Sequence, residues 1–426
     1  MLIGAIFIAM LMMICINIPI AVALAMCGVL GLLATEGASS LVTIALDMYD
    51  GSTKFSLIAI PMFVLAGAIM NAGGITDRLI NFVSAIIGFI RGGLAMVNIG
   101  VSLFFAEISG SAVADVAAMG SILIPQMKKR GYSKEFSAAV TSSSASLAII
   151  IPPSIPMILY AASANTSVEQ LFVAGLVPGL IGAGGLMFVA YAFAKRYNFP
   201  TEAAFNLPRL RETFMDALPA FTLPVIILGG IFGGFVTATE AAGLAVLAAL
   251  AVSAWYGNLN LSHLRRAMLD GGIQTAVVML LVAASVLMGG FLTRAQIPQQ
   301  LAESILSITT QQWAILLILN FFFLVVGFFL HSAAAIILVI PIVIPLINSA
   351  GIDPVHFGLV VTLNLAIGQQ TPPVASVLIT ACSVARANIW EVSKVNIWFV
   401  GVLLTVLMIC TYVPAVPMFL VEYFYR

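Results

Sequence analysis

Two stretches of the chain repeat an unusual combination of small residues and prolines within apolar sequence. Gly110–Ser111 precedes the doublet Pro152–Pro153, and His331–Ser332 precedes the doublet Pro372–Pro373, which is offset from the first doublet by 220 residues. Proline removes a backbone donor and interrupts a helix, so each doublet leaves carbonyl groups without intrahelical partners. Such carbonyls suit a hard cation, and N–H groups at the start of a helix suit an anion. The repeat therefore predicts a site for both.

The composition indicates the environment of this site. Hydrophobic residues make up 62% of the 426-residue chain and charged residues only 8%, whereas soluble domains carry roughly 25% charged residues. At about 20 residues per span, this predicts an integral membrane protein with ten or more membrane segments. The net charge of zero and the lack of a basic tract argue against nucleic-acid binding. The four cysteines lack metal-ligand spacing, so we expect no cofactor and no transition metal.

The distribution of basic residues predicts the orientation in the membrane. Residues 128–134 form the densest basic group, whereas 163–170 and 347–354 contain no Lys or Arg. The positive-inside rule places the basic connections in the cytoplasm and the other two outside. Both the N-terminus and the C-terminus are then expected on the outer side of the membrane.

Two apolar runs are predicted to be re-entrant helical hairpins. Residues 93–125 begin and end at basic connections but are interrupted midway by small polar residues, and residues 312–346 turn near a second polar tip. Pro125 and Pro345 are expected to end the last helix of each hairpin. The double prolines fall inside the next apolar runs, which are predicted to be broken spans at 135–162 and 355–381.

The halves carry the same order of elements in opposite orientation, which predicts an all-α polytopic membrane protein with an inverted-topology repeat. The first repeat, 1–194, contains scaffold spans within 2–34 (hinged at 17–19), an arm at 38–54, a span at 56–72, a surface helix near 76–90, the hairpin, the broken span and a span at 171–194. A cytoplasmic linker follows at 195–216. The second repeat, 217–426, contains scaffold spans within 217–256, an arm at 259–270, a span at 272–292, a surface helix near 298–308, the hairpin, the broken span and a span at 396–420.

The tips and breaks offer ligands without formal charge. Helix N-termini at Ser111 and Ser332 present N–H groups to an anion. Carbonyls at the breaks and neighbouring hydroxyls suit Na⁺, and this combination fits cation-coupled uptake of an acid. The residues expected to contribute carbonyls, hydroxyls or amides are Ser109, Ser144, Pro152, Ser154, Asn364, Gln369, Gln370, Thr371 and Pro372.

Some of these residues also have a purely structural interpretation. Small residues at helix crossings often serve packing alone. His331 is expected to cap the second tip rather than to relay protons. Glu107 and Asp115 flank the first tip, where a structural pair, a helix-N-terminal partner and a functional carboxylate are all open.

At these residues the chain resembles the large membrane subunit, of DctM type, of the tripartite ATP-independent periplasmic (TRAP) transporters. The matching motifs follow one another along nearly the whole chain: Ile108–Asp115, Gly120–Pro125, Ile151–Ile155, Leu171–Gly175, Pro178–Gly179, Gly229–Gly234, Thr237–Glu240, Gly351–Gly358 and Thr371–Pro373. The sequence departs from the family at Ala238, where proline is usual, and at Ala375, where many members have glycine.

The resemblance implies an elevator-type transporter of the ion-transporter superfamily that uses a Na⁺ gradient to import an organic acid. It implies a bacterial inner membrane, a small four-helix membrane subunit and a periplasmic substrate-binding protein as partners, and no ATPase. By analogy, the cation-binding residues are Ser109, Gly110, Ser111, Pro152, Pro153, His331, Ser332, Gln369, Gln370, Thr371 and Pro372. The acid would lie between them, against Ser111, Ser144, Ser154, Ser332 and Asn364.

The substrate and the need for partners stay open at this point. The stretch Asn364–Thr371 is most similar to the sialic-acid branch, and C4-dicarboxylates and sugar acids are alternatives. A standalone cation-coupled carboxylate symporter or antiporter of the same superfamily is the main competing interpretation. The permease of an ATP-driven importer and a channel fit the paired broken helices less well. The sequence contains neither a Walker motif nor H-E-x-x-H or G-x-S-x-G, so no enzyme activity is expected.

Overall fold

Helices form the regular secondary structure of this protein, because apolar surroundings require each backbone polar group to find a partner within its own segment. The computed structural model describes residues 2–16, 18–201 and 204–425. Nine helices in these ranges are long and apolar enough to cross a membrane. The expected hinge at 17–19 falls partly on residue 17, which lies outside the described residues, and the helices on either side of it are separate.

The helices of the first half follow the predicted order. They are α1 (Leu2–Cys15), α2 (Ile20–Glu36), α3 (Ser40–Ser52), α4 (Ala59–Ala72), α5 (Ile75–Ile87), α6 (Gly93–Ser109), α7 (Ala112–Lys129), α8 (Lys134–Ala145), α9 (Ile155–Ala164) and α10 (Val168–Arg196). Short 3₁₀ turns precede α3, α4 and the first break, at Gly37–Ser39, Phe55–Ile58 and Ser146–Ile149.

The second half begins with a distorted helical run. It consists of α11 (Leu207–Ala217), a 3₁₀ turn (Leu218–Phe221), α12 (Thr222–Pro224), a π-helical turn (Val225–Gly229) and α13 (Gly230–Phe232). The remaining helices are α14 (Ala238–Trp255), α15 (Leu261–Arg294), α16 (Ile297–Ile308), α17 (Gln312–Phe329), α18 (Ser332–Ser349), α19 (Pro354–Gly368), α20 (Ser376–Ala385), α21 (Ile389–Tyr412) and α22 (Ala415–Tyr425).

The two hairpins and the two proline-broken spans that the sequence predicts are present. Hairpin 1 is α6–α7 and hairpin 2 is α17–α18. Break 1 (residues 150–154) separates α8 and its 3₁₀ extension from α9, and break 2 (residues 369–375) separates α19 from α20. In both breaks the peptide bond between the two prolines is cis. The division of the chain into two repeats, at 1–194 and 217–426, stays a prediction.

Four predicted boundaries differ from the structure. The arm at 259–270 and the span at 272–292 form one helix, α15, because Gly271 lets that helix pack closely on α4 instead of breaking it, with Leu65 Cα 3.6 Å from a Cβ built on the glycine. The span predicted at 396–420 divides into α21 and α22, since Val413 precedes a proline and leaves the helical region.

The other two differences concern prolines and the linker. Pro125 and Pro345 lie inside α7 and α18, which continue to Lys129 and Ser349. A membrane helix can continue past a proline because neighbouring helices and local adjustments satisfy the backbone group that the proline frees. The end of the predicted linker and the start of the span at 217 belong to one helical run, from Leu207 to Phe232.

The helices pack in two groups. The outer bundle comprises α1–α4, α14 and α15, with α14 and α15 against α4 and with α15 against α2. The hairpin bundle comprises the two hairpins, the broken spans, α10 and α21. Within it, the second helix of hairpin 1 packs on α20, and the second helix of hairpin 2 packs on α9. Each half therefore depends on the other to complete its packing.

Charged side chains connect the helices at the edge of the outer bundle. Arg294, at the end of α15, pairs with Glu36 on α2 and with Asp47 on α3, the latter at 3.4 Å. Lys54 reaches the hairpin bundle, where its Nζ donates to the carbonyl oxygen of Ala162 in α9 at 2.6 Å. This last hydrogen bond joins the two bundles.

Candidate functional site

One cavity of about 610 Å³ lies between the hairpin bundle and the outer bundle. Both hairpin tips line it, as do residues on the flanks of both breaks. Its wall on the outer bundle comes from α4 and α15. The lining residues that carry polar groups are Ser111, Gln274, His331, Ser332, Gln369, Ser376 and Thr380. Repeat-related parts of the chain thus meet at a single site.

The first tip is pressed against break 1. Gly110 has a left-handed backbone (φ 58°), and a Cβ built on it would lie 2.9 Å from the carbonyl oxygen of Pro153 and 3.1 Å from the nitrogen of Ile155. Only glycine permits both the dihedral angle and this approach. The Oγ of Ser111 accepts a hydrogen bond from the nitrogen of Ala114 at 3.5 Å, so Ser111 is the N-cap of α7.

The second tip has a different cap in the same place. The Nδ1 of His331 accepts from the nitrogen of Ala333 at 3.4 Å, and Ser332 is the first residue of α18 with 1% of its surface exposed. This geometry agrees with the capping interpretation of His331. The nitrogen of Val374 in break 2 donates to the carbonyl oxygen of Phe328 at 3.3 Å, which attaches this tip to break 2.

Serine and threonine side chains satisfy part of the backbone at the two breaks. At break 1, the Oγ of Ser154 donates to the carbonyl oxygen of Ile149 at 2.7 Å and accepts from the nitrogen of Met157 at 3.4 Å. At break 2, the Oγ1 of Thr371 donates to the carbonyl oxygen of Ile367 at 3.1 Å. These hydroxyls hold the interrupted ends in fixed positions.

Gln369 joins the cavity to the start of α20. Its backbone carbonyl accepts from the nitrogen of Val377 at 3.2 Å, and its side-chain Oε1 accepts from the Oγ of Ser376 at 3.2 Å. Gln369 and Ser376 both line the cavity. The polar part of the cavity lining at break 2 is therefore a pair of side chains that are already hydrogen-bonded to each other.

A buried polar cluster lies where the two broken spans cross. The Oε1 of Gln370 is 2.8 Å from the Oγ of Ser143, and its Nε2 donates to the Oγ of Ser146 at 2.7 Å. The Nδ2 of Asn396, on α21, donates to the backbone carbonyl of Gln370 at 3.2 Å. These side chains are at most 1% exposed. The cluster fixes break 2 to the end of α8.

Ser144 and Asn364, which the sequence places at the same repeat position, make equivalent contacts. The Oγ of Ser144 donates to Oδ1 of Asn98 on α6 at 3.0 Å, and the Nδ2 of Asn364 donates to Oδ1 of Asn320 on α17 at 2.7 Å. Each broken span is therefore fastened to the first helix of its own hairpin.

The predicted site residues thus fall into three groups. Those that line the cavity are Gly110, Ser111, His331, Ser332 and Gln369. Those that do not line it are Ser144, Pro152, Pro153, Ser154, Asn364, Gln370, Thr371 and Pro372, of which Thr371 and Pro372 are half-buried and the others buried. The side chains of Glu107 and Ser109 lie outside the described part of the chain, and Asp115 is buried in the first turn of α7.

Sequence reasoning missed the partners of these residues. These partners are Asn98, Ser146, Asn320, Ser376 and Asn396, and Gln274 is a further lining residue of the cavity that sequence reasoning missed. An asparagine inside an apolar span is costly unless it is paired, which is a signal that could have identified the three asparagines. Their partners lie at least 26 residues away along the chain, so the sequence does not show which groups they meet.

The described lining of the cavity contains no aspartate, glutamate, lysine or arginine. Among its described lining residues, His331 is the one titratable side chain. The N-terminal ends of α7 and α18 both reach the cavity, at Ala112 and Ala333. Helix N-termini carry partial positive charge and unpaired N–H groups, so two such ends favour an anionic group between them.

Paired hairpins, paired broken spans and a shared central cavity define a multi-pass membrane transporter of inverted-repeat architecture. Residues 7–416 match the sequence family described as the DctM component of the tripartite ATP-independent periplasmic transporter. The chain belongs to this family of TRAP transporter large permeases. It is a transport component and not an enzyme.

Relatives along nearly the whole chain support this assignment. The chain is 38% identical to the isethionate TRAP transporter permease protein DctMQ of Oleidesulfovibrio alaskensis, over 95% of this chain and 64% of the relative. It is 37% identical to the C4-dicarboxylate large permease DctM of Pseudomonas aeruginosa, over 88% of each chain. It is 36% identical to the sialic acid large permease SiaM of Vibrio cholerae, over 78% of each chain.

A solved structure supports the fold independently of sequence. The crystal structure of the YdaH transporter of Alcanivorax borkumensis, described as having an unusual topology, superposes with a TM-score of 0.66. The match covers 92% of this chain and 90% of that chain at 13% identity. At this identity the similarity concerns the fold alone.

Proposed function

We propose that this permease imports an organic acid together with Na⁺, by moving the hairpin bundle against the outer bundle. The observation that carries the proposal is the shared cavity, which both hairpin tips and the flanks of both breaks line. Discontinuous helices from two inverted repeats that meet at one site are the usual architecture of an ion-coupled transporter. The volume of about 610 Å³ is in the range of small-molecule sites.

The acid is proposed to lie with its carboxylate between the N-termini of α7 and α18. Ser111 and Ser332 stand at these two ends, and Gln369 and Ser376 offer neutral hydrogen-bonding groups nearby. Because the described lining residues include no arginine or lysine, helix dipoles and N–H groups would balance the negative charge. Ser144 and Asn364 would act through the position of the hairpins, since their side chains already bond Asn98 and Asn320.

Na⁺ is proposed to bind where each tip meets its break. Oxygen atoms are the ligands that hard cations prefer, and each junction concentrates backbone carbonyls and hydroxyls. At the first junction the carbonyl oxygen of Pro153 faces Gly110, and the residues proposed are Ser109, Gly110, Ser111, Pro152 and Pro153. At the second junction they are His331, Ser332, Gln369, Gln370, Thr371 and Pro372.

The elevator movement is proposed from the arrangement of the two bundles. The hairpin bundle holds both tips and both breaks, so it would carry the ligands as a unit. The outer bundle contributes only one wall of the cavity, from α4 and α15. The hydrogen bond from Lys54 to Ala162 crosses between the bundles and would have to break during such a movement.

A small four-helix membrane subunit and a periplasmic substrate-binding protein are proposed as partners, in a bacterial inner membrane. The family description and the DctMQ relative support this arrangement. The relatives named above carry three different acids in their names, so the substrate is proposed only as a carboxylate or related organic anion, with sialic acid as the first choice to test. Periplasmic N- and C-termini are part of the same proposal.

The test is uptake into proteoliposomes that contain this chain and its small partner. The cognate binding protein is supplied outside, and radiolabelled sialic acid, a C4-dicarboxylate and isethionate are compared under an inward Na⁺ gradient and under K⁺ alone. We expect one acid to accumulate only with both Na⁺ and the binding protein. Uptake without the binding protein would support a standalone symporter, and uptake indifferent to Na⁺ would overturn the proposed coupling.

A further inference from the structure

A second cavity of about 450 Å³ continues from the central cavity along the outer bundle. The two share four lining residues, which are Val64, Ala114, Ala117 and Gln274. The second cavity runs between α4, α7 and α15 towards Arg266. Arg266 belongs to a basic connection that the positive-inside rule places in the cytoplasm. Together the cavities form one route from the hairpin tips to that side.

One face of α15 supplies the polar side of this route. Arg266, Asp270 and Gln274 are spaced four residues apart, so they follow one another along a single helix face. Across from them, hairpin 1 contributes only alanines, at 114, 117 and 118. Arg266 is the one cationic side chain among the described residues that line the two cavities.

The charged residues on this face are exposed to the route. The described residues include no ion-pair partner for Arg266 or Asp270. A guanidinium without a carboxylate partner is able to donate two parallel hydrogen bonds to the carboxylate of a passing anion. Gln274, at the point where the cavities meet, has no charge and offers both a donor and an acceptor.

We propose that this face of α15 is a binding surface for the transported carboxylate on its way between the central site and the cytoplasm. Gln274 contacts the acid at the hairpin tips, and Arg266 attracts it at the cytoplasmic mouth of the route. Asp270, between them, opposes the attraction and keeps the anion from being held at the mouth. The inference rests on the proposed function, because it takes the cargo to be an organic anion.

The effect of Arg266 can be measured without knowing the substrate. Eight residues of helix separate Arg266 from Gln274, or about 12 Å. At that distance one charge in a partly aqueous channel changes the local concentration of a monovalent anion about threefold, and that of a cation by the inverse factor. Two cysteine-labelling reagents of opposite charge therefore report the electrostatic potential that Arg266 creates at residue 274, as the ratio of their labelling rates.

The experiment uses Gln274→Cys in inside-out vesicles that contain the full complex. Its labelling rates with anionic and cationic membrane-impermeant methanethiosulfonates are compared, and the chain without the added cysteine gives the background. Arg266→Gln should lower the anionic-to-cationic rate ratio several-fold, and Asp270→Asn should raise it. Arg265→Gln is the matched control, because it removes the neighbouring charge that does not line the route.

Two results would overturn the inference. One is a Gln274→Cys variant that is not labelled from the cytoplasmic side, and the other is an equal effect of Arg265→Gln and Arg266→Gln on the ratio. Uptake by the same variants separates this inference from the proposed function. If the parent complex transports none of the acids tested, the proposed function fails while the labelling ratio still decides whether the route exists.

Discussion

The Nδ2 of Asn364, on α19, donates a hydrogen bond to Oδ1 of Asn320 at 2.7 Å, and this contact fastens the second broken span to hairpin 2. The same relationship occurs in the first half, where Ser144 donates to Asn98 at 3.0 Å. The two donors are offset by 220 residues and differ in type, whereas the two asparagine acceptors are offset by 222 residues. A buried amide pair of this kind fixes the angle between a hairpin and its broken span.

Replacement of Asn320 by alanine should destabilise the protein. The change removes the acceptor of Asn364 and the donor to Thr411, and unsatisfied buried polar groups cost about 1–3 kcal/mol. We expect a lower thermal midpoint in detergent, measured by the loss of monodisperse protein on heating. Asn348→Ala, at an exposed position near the end of α18, is the control and should leave the midpoint unchanged. Equal midpoints for the two variants would argue against the structural role.

Gly110→Ala should abolish most transport. The new Cβ would lie 2.9 Å from the carbonyl oxygen of Pro153, so the tip would move away from break 1. Gly131→Ala is the matched control, because Gly131 also has a left-handed backbone (φ 87°) but no neighbour within 4 Å of the built Cβ. In both variants the new alanine must adopt a left-handed backbone conformation, which costs about 1–2 kcal/mol. We expect at least about a tenfold loss of Na⁺-driven uptake for Gly110→Ala alone; similar uptake by both would contradict the proposed junction.

The sequence predicts the hairpins and broken spans well, because their signals are local. Each proline doublet interrupts a helix wherever it occurs, and Gly110 permits a tight turn by itself. The partners of these elements are not local. Asn320 meets Asn364 over 44 residues, and Ser143 meets Gln370 over 227. The continuous helix α15 was missed for a similar reason, since Gly271 acts through its packing on α4.

Two glycines should show different tolerance where hairpin 2 crosses α19. A Cβ on Gly368 would lie 2.5 Å from Cα of Gly327, whereas one on Gly327 would lie 3.1 Å from Cα of Gly368. Both obstacles are backbone, so they cannot move aside as a side chain could. We expect Gly368→Ala to lower folded yield and uptake more than Gly327→Ala, and Gly243→Ala, which meets nothing within 4 Å, to have no effect. A larger loss for Gly327→Ala than for Gly368→Ala would contradict the packing of α17 on α19 described above.

Gln370→Leu should weaken the crossing of the two broken spans. The substitution removes the side-chain hydrogen bonds of Gln370 to Ser143 and Ser146 in a site that is at most 1% exposed, whereas Asn396 keeps its bond to the backbone carbonyl of residue 370. The expected loss of unfolding free energy is about 2–4 kcal/mol, read as a shift of the thermal midpoint. Gln300→Leu, at an exposed position on α16, serves as the control. A stability loss shared by both variants would indicate a general effect of added leucine.

The two partners of the hydrogen bond between Lys54 and Ala162 differ in how readily a mutation can remove them. Its donor is a side chain, but its acceptor is a main-chain carbonyl near the end of α9. A substitution at residue 162 that preserves the helix leaves this carbonyl in place, whereas a substitution at residue 54 removes the donor. Of the two positions, residue 54 is therefore the one at which ordinary substitutions alter this connection between the bundles, and it lies outside the lining of the central cavity.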